Sequence, residues 1–402
     1  MNEQADVVIV GGGIIGLATA RAVQHRRPDF VVMVVDKEPQ VAAHQSGHNS
    51  GVVHAGLYYA PGSTKAELCR LGRDELLAWC DRHGVLWERC GKVVVATTPD
   101  EVERLAALAE RARRNGIEVT ALDRVGLRDH EPHADGLAAL HVPATAIVDY
   151  RAVCRVLAHQ VESRGGQVVL GAPVTAIDHA GPDLVVHTGR GAVRTPRLAN
   201  CAGLASDRVA RLAGDDPAAS ILPFRGEYHE LAPSRRHLVR GLIYPVPDPR
   251  FPFLGVHLTR MIDGGVHAGP NAVLALAREG YRWRDVKLGD VGSMIGTAST
   301  WRLARRHWRT GMGEVGRSLS RRRLLAALQR LVPDLRLDDL VPAGSGVRAQ
   351  AVAPDGTLLD DFAFAGGNTP GGARTVHVVN APSPAATASF AIGGVVAGHL
   401  LD

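Results

Sequence analysis

Aromatic residues make up only 4% of this 402-residue chain. No apolar run approaches the roughly 18 residues needed to cross a bilayer, which argues against an integral membrane protein. Cysteine is scarce as well. Cys69, Cys80, Cys90, Cys154 and Cys201 are odd in number and scattered, and they form no CxxC pair. That pattern excludes a disulfide framework and gives no zinc site, so the cysteines read as reduced filler and no metal is expected. Met1 to Asp6 has no basic region leading into a signal peptide, and the expected location is cytoplasmic. The formal charge of +5 comes largely from one arginine-rich stretch, Arg302 to Arg323. With few aromatics and no nucleic-acid motif beside it, that stretch gives no reason to expect nucleic acid. It reads first as a solvated helical face; the alternative is contact with an acidic partner or with anionic headgroups at the inner face of a membrane.

Hydrophobic residues, at 46%, suffice for two cores in a chain of this length. The opening ADVVIV suits a buried parallel strand and is followed by GGGIIG, an apolar-periodic helix through Leu17, Ala20 and Val23, and a second strand, FVVMVVD, ending at Asp36. Strand, GxGxxG, helix, strand and acidic residue thus come in the order a dinucleotide site requires, with Asp36 twenty residues beyond Gly16. Gly11 makes the turn, Gly13 admits a pyrophosphate to the main chain, and Gly16 lets helix and strand pack closely. The helix N-terminus faces the phosphates, and Asp36 can accept from a ribose.

Thr64-Lys-Ala-Glu67 and Thr98-Pro-Asp-Glu101 have the form of capping boxes, each starting a helix, with the strand GKVVVAT between them. Arg151 to Arg164 is helical in pattern, and later strands finish at LANCAG, where Ala202 and Gly203 could bring the chain back to the cofactor. From Leu222 to about Pro342 short alternating runs such as RGEYHEL and FPFLGVHLTR predict an antiparallel sheet. The strand VHVVNA and a terminal helix return to the first texture. GGNTPGG, Gly366 to Gly372, reads as a flexible turn.

GGGIIG, HQSGHNSGVVHAGLYYAPGS, PFRGEYHEL, LIYPVPDPRFPFLGVHLTRMIDGGVHAGPNAVLA, GVRAQAV and NAPSPAATAS, in this order over nearly the whole chain, resemble the L-2-hydroxyglutarate dehydrogenase/oxidase group of the D-amino-acid-oxidase-like FAD-dependent oxidoreductases. GGNTPGG departs from that pattern, being longer and richer in glycine. The resemblance implies an α/β fold: a Rossmann-like FAD-binding domain assembled from residues 1–90, 145–221 and 343–402, and an antiparallel-sheet substrate domain, residues 91–144 and 222–342, inserted into it. Noncovalent FAD would lie along Gly11, Gly13, Ile14, Ile15, Gly16, Asp36, Lys37, Gln45, Ser46, His48, Asn49, Ser50 and Gly51. Val174, Ala202, Gly203, Gly346, Arg348, Pro382 and Ser383 would complete its contacts. His54 and Gly56 would come nearer the reacting face.

Oxidising a 2-hydroxy acid requires the carboxylates to be held, the hydroxyl proton to be taken and C2 to face flavin N5. Arginine holds a carboxylate through its planar fork, and Arg348 in GVRAQ and Arg225 in FRGEY are the two candidates for a dicarboxylate. Of 18 histidines, four fall in the resembling motifs near the expected site. His54 is the first choice as base and His267 the second, with His48 and His257 behind them. His257, Tyr228 and Tyr244 are expected at the substrate. Electrons would pass to a quinone, an electron-transfer protein or oxygen. A flavin amine oxidase of glycine or sarcosine type and a noncatalytic flavin-binding module stand as alternatives.

Overall fold

The computed structural model describes residues 2–248, 255–270, 272–306 and 320–402, and among them the strands form four sheets. The central one follows from the opening motif. Val7–Val10 and Val32–Val35 pair in parallel, in register from Val7 with Val32 to Val10 with Val35, and every residue of both strands is buried. Continuous apolar runs of this kind are what a parallel sheet covered on both faces demands. Gln167–Val169 extends the sheet on one side; Arg197–Asn200, Arg374–Asn380 and the antiparallel edge strand Ala363–Asn368 extend it on the other.

One face of this sheet carries the helices Ile14–Arg26, Tyr150–Ser163 and Ser389–Leu401. Leu17, Val23, Leu157, Phe390 and Val396 fill the core between them. Gly393 makes the closest crossing possible, because a Cβ there would lie 2.6 Å from the backbone of Ala18. The other face is covered by a small sheet of Asn2–Gln4, Val174–Ala180, Asp183–Thr188 and Gly191–Thr195, which buries Ile177, Leu184 and Val186 against Val8 and Met33.

A nine-stranded, mostly antiparallel sheet forms the second large layer. Its long members Ser220–Leu231 and Leu340–Val352 pair over nearly their whole length, with a register shift between Glu227 and His229. Lys92–Ala96 and Ala138–Val142 join the same sheet from the earlier part of the chain. A three-stranded sheet of Val52–Val53, Trp87–Glu88 and Ala146–Val148 lies beside them.

Some local expectations shift. The cap of the helix Thr64–His83 is Ser63, whose hydroxyl accepts from the Ala66 N–H, so Thr64 is the first helical residue. Thr98 does cap Pro99–Arg114, but the Glu101 carboxylate reaches Thr97 and Arg330 instead of closing a box on Thr98. Gly366 to Asn368 belong to the edge strand, and only the rest of GGNTPGG makes the turn; the Thr369 N–H donates to Ala373 O at 2.7 Å. Residues 307–319 of the arginine-rich stretch lie outside the described residues. Before and after them, Arg302 is bonded to Pro354 O and Arg321 to Leu340 O. No helix among the described residues is long and apolar enough to cross a membrane.

Candidate active site

A cavity of about 640 Å³ runs from the end of the central sheet to the nine-stranded sheet. Its first end is the turn after Val10. Gly11 has φ +116°, and a Cβ there would stand 2.4 Å from Cys201 O; Gly16 has no room either, since its Cβ would meet Gly11 O at 1.9 Å. Gly13 caps the helix Ile14–Arg26 without a side chain, and the first-turn N–H of Ile14 donates to Ser46 Oγ at 2.9 Å. Ser46 thus takes one first-turn N–H, while the glycine main chain and the start of the helix line the cavity on the side where an anion would be held. Gly11→Ala is expected to cost roughly 1–3 kcal/mol in backbone strain and to lower the amount of cofactor retained on purification; thermal unfolding together with the flavin absorbance checks both.

Asp36 stands at the end of the second strand, and both its oxygens are engaged: Oδ2 accepts from the Gly12 N–H at 2.6 Å and Oδ1 from the Glu38 N–H at 2.8 Å. A carboxylate has about four acceptor directions, so it can hold the glycine turn and still accept from a ribose hydroxyl. Lys37 lies on the cavity and bridges Glu38 and Glu279 at 2.5 and 2.7 Å.

The polar stretch from His44 to Ser50 is largely a self-fastened turn. Asn49 Nδ2 donates to Gln45 O and Ser46 O, and its Oδ1 accepts from the Gly51 N–H. His48 stacks on Tyr281 with ring centroids 4.3 Å apart, and His44 Nδ1 lies 2.9 Å from the Tyr281 hydroxyl. Gln45, Ser46, His48, Asn49 and Ser50 all line the cavity; Gly51 does not, and its φ of +65° serves the tight approach to Val148. Gly11, Gly13, Ile14 and Ile15 line the same end, as do Val174, Ala202 and Gly203; Gly16 sits beneath it. Gly346, Pro382 and Ser383 line the middle, where a Cβ on Gly346 would stand 2.4 Å from His48 O.

At the far end the cavity meets His54, Tyr228, Tyr244, His257 and Arg348. His54 follows the strand Val52–Val53; its N–H donates to Thr387 Oγ1 at 3.0 Å, and its Nε2 lies 3.5 Å from Ser383 Oγ. Enclosure by protein, with Lys92 and His257 close by, pulls its pKa down to about 3. His257 is 8% exposed and packs on the Tyr244 ring at 4.1 Å. Its Nδ1 lies 2.8 Å from Gly255 O, which can only accept, so Nδ1 carries the proton and Nε2 is left basic. Burial, then Arg348 and Lys92, lower its pKa to about 4. Both imidazoles are thus neutral near pH 7.

Arg225 and His267 are absent from this lining. The strand register explains Arg225: Phe224 pairs with Arg348 and Arg225 with Val347, so successive side chains put Arg225 on the opposite face from Arg348. There it lies over the Trp283 ring at 4.3 Å, with Glu227 3.7 Å away. His267 pairs in register with Glu230 and stands behind Tyr228, ring centroids 5.5 Å apart.

Several cavity residues had no sequence expectation. Tyr58, Tyr59, Lys65 and Tyr150 line it, and the Tyr150 hydroxyl donates to Val52 O. Lys92 lies immediately behind the Tyr58 and Tyr244 rings. The tyrosines of GLYY stood next to His54 in the sequence; nothing distinguished Lys92 from an ordinary strand-end lysine.

The sequence matches the family model for FAD dependent oxidoreductases over residues 6–398. It is 46% identical over 394 residues to an L-2-hydroxyglutarate dehydrogenase of Indibacter alkaliphilus, covering 97% of each chain. It is 47% identical over 389 residues to an L-2-hydroxyglutarate dehydrogenase of Escherichia coli K12, covering 96% of this chain and 91% of that one. The fold is similar to that of a dithionite-reduced L-alpha-glycerophosphate oxidase from Mycoplasma pneumoniae with FAD bound. In that case the TM-score is 0.80 at 23% identity, covering 99% of this chain and 95% of the other.

Proposed function

This chain belongs to the FAD-dependent oxidoreductase family, and on that premise we propose that it oxidises L-2-hydroxyglutarate to 2-oxoglutarate. One observation carries the reading: a chain nearly half identical to two such dehydrogenases over almost its full length keeps an arginine and two neutral histidines at the closed end of its dinucleotide cavity. The cradle fits FAD, because Gly11 and Gly16, where a Cβ would collide with main chain, leave the turn bare and the start of the helix behind it lines the cavity. The discontinuous division of the chain at residues 90, 145, 221 and 343 goes with this reading, the central sheet serving the cofactor and the nine-stranded sheet the substrate.

Bound FAD supplies the acceptor for the hydride that leaves C2. Arg348 grips the carboxylate next to C2 and so fixes which face of that carbon is presented. His54, neutral and enclosed, takes the hydroxyl proton as the alkoxide develops, and the resulting imidazolium is stabilised by the substrate's own negative charge. His257, whose Nδ1 is tied to Gly255 O and whose Nε2 is left basic, is the other imidazole lining this end of the cavity that could take that single proton in place of His54. Tyr244 and Tyr228 close the wall and exclude water. Electrons then leave to a quinone, an electron-transfer protein or oxygen.

The test is anaerobic reduction of the purified flavoprotein. L-2-Hydroxyglutarate should bleach the flavin much faster than its D enantiomer, with 2-oxoglutarate as product. Equal rates for the two would count against the site geometry, and faster bleaching by glycine or sarcosine would favour an amine oxidase. Re-oxidation by oxygen or by a soluble quinone, followed in the same cell, distinguishes the acceptors.

A further inference from the structure

Lys92 opens the strand Lys92–Ala96 and is 2% exposed. Its ammonium stands over two aromatic faces that form the cavity wall, 4.4 Å from the centroid of Tyr58 and 5.1 Å from that of Tyr244. The titratable groups that face it are His54 from the segment after Val53, His257 from the strand His257–Arg260, and Cys69 from the helix Thr64–His83. None of these is a carboxylate, and among the described residues no ion pair involves Lys92. Ring faces attract a cation but do not replace a counter-ion, and a buried ammonium is strongly disfavoured without one. Burial draws its pKa down to about 7. Beside it, the Tyr58 hydroxyl is a buried oxygen with no hydrogen-bond partner. A buried cation lacking an anion and a buried donor lacking an acceptor thus share one stretch of wall, and a carboxylate answers both.

We propose that Lys92 and Tyr58 form the subsite for the second carboxylate of the substrate, Tyr58 donating to it directly and Lys92 supplying the countercharge behind the ring. This rests on the reading that the substrate is a dicarboxylate. It fills the place that Arg225 was expected to take, since Arg225 faces the other side of the sheet. The wall thereby selects 2-hydroxy dicarboxylates over 2-hydroxy monocarboxylates, and Lys92 takes up a proton as the second charge arrives. Dicarboxylate affinity accordingly falls as pH rises above about 7, whereas monocarboxylate affinity does not follow that change.

Glutarate and butyrate, which lack the oxidisable hydroxyl, probe the subsite in the oxidised holoenzyme without turnover. Calorimetric titration at pH 8 in two buffers of different ionisation heat should show glutarate binding tighter than butyrate by about tenfold or more, with proton uptake for glutarate alone. Lys92→Met should keep its flavin and its butyrate affinity, lose the preference for glutarate and lose the proton uptake. Lys92→Arg, permanently charged, should restore the preference without the uptake. Tyr58→Phe should weaken glutarate selectively, and this variant with the unmodified enzyme decides the matter should Lys92→Met fail to hold flavin. Absence of both preference and proton uptake in the unmodified enzyme overturns the proposal, as does an equal loss of both ligands in Lys92→Met. Because neither ligand is oxidised, failure of hydroxyglutarate to reduce the flavin would strike the proposed reaction and leave this measurement intact.

Discussion

Alanine at His54 is expected to slow flavin reduction at saturating substrate by about 10² or more while substrate affinity changes little. The expectation rests on position and on protonation state together. His54 is on the cavity wall beside Ser383 and Thr387, and enclosure with two neighbouring basic groups holds its pKa near 3. A base must be unprotonated to act, so acidification removes it only as pH falls towards that value. The reduction rate should therefore stay level through about pH 6.5, where an ordinary histidine would be half protonated. Two controls accompany it. His267→Ala should leave the limiting rate close to normal, because that ring stands behind Tyr228 and does not line the cavity. His257→Ala tests the neighbour whose free lone pair is fixed by Gly255. A normal limiting rate in His54→Ala with a collapsed one in His257→Ala would move the proton transfer to His257, and normal rates in both would end histidine catalysis here.

What the sequence disclosed follows the range of the interactions involved. The glycine turn, its helix and Asp36 are local: each glycine is demanded by backbone contact within one strand–helix–strand unit, and the spacing alone reports it. The cavity ends at Ala202 and Gly203 were legible for a similar reason, as small residues closing a buried strand. Asn49 was legible only as a polar residue near the cofactor; that it spends three hydrogen bonds fastening its own turn depends on backbone geometry that the residue types do not encode. Arg225 was expected at the substrate because FRGEY shows an arginine near Tyr228, whereas the register that opposes Arg225 to Val347 and turns it from the cavity is not visible in residue types. A change of one residue along a strand reverses the face. Lys92 was invisible for the opposite reason. A lysine before three valines ordinarily lets its stem follow the strand and its charge reach water; the Tyr58 and Tyr244 rings that enclose it come from segments 34 residues before it and 152 residues after it in the chain.

Arg348→Met should separate anchoring from chemistry. Arg348 lies on the cavity side of Leu340–Val352 opposite Phe224, close enough to His257 to help lower its pKa and to Tyr228 to offset part of the rise that burial causes there. Gripping a carboxylate there, it makes a charge-assisted, two-pronged contact in a space with little water, and removal of such a partner costs on the order of 2–5 kcal/mol. That corresponds to a dissociation constant weaker by roughly thirtyfold to several thousandfold. Methionine keeps much of the length and apolar bulk of the arginine stem, so the strand pairing and the nucleotide cradle at the other end of the cavity should persist and the protein should still purify with its flavin. The limiting reduction rate should fall as well, because the same contact orients C2, but by less than in His54→Ala. Arg225→Met provides the comparison: it removes a buried guanidinium from the far face of the same strand pair, so any effect should appear in thermal stability and leave substrate affinity within a few fold. Stopped-flow reduction over a range of substrate concentrations reads affinity and limiting rate separately in both variants. Unchanged affinity in Arg348→Met, or a larger loss in Arg225→Met, would transfer the carboxylate anchor away from Arg348.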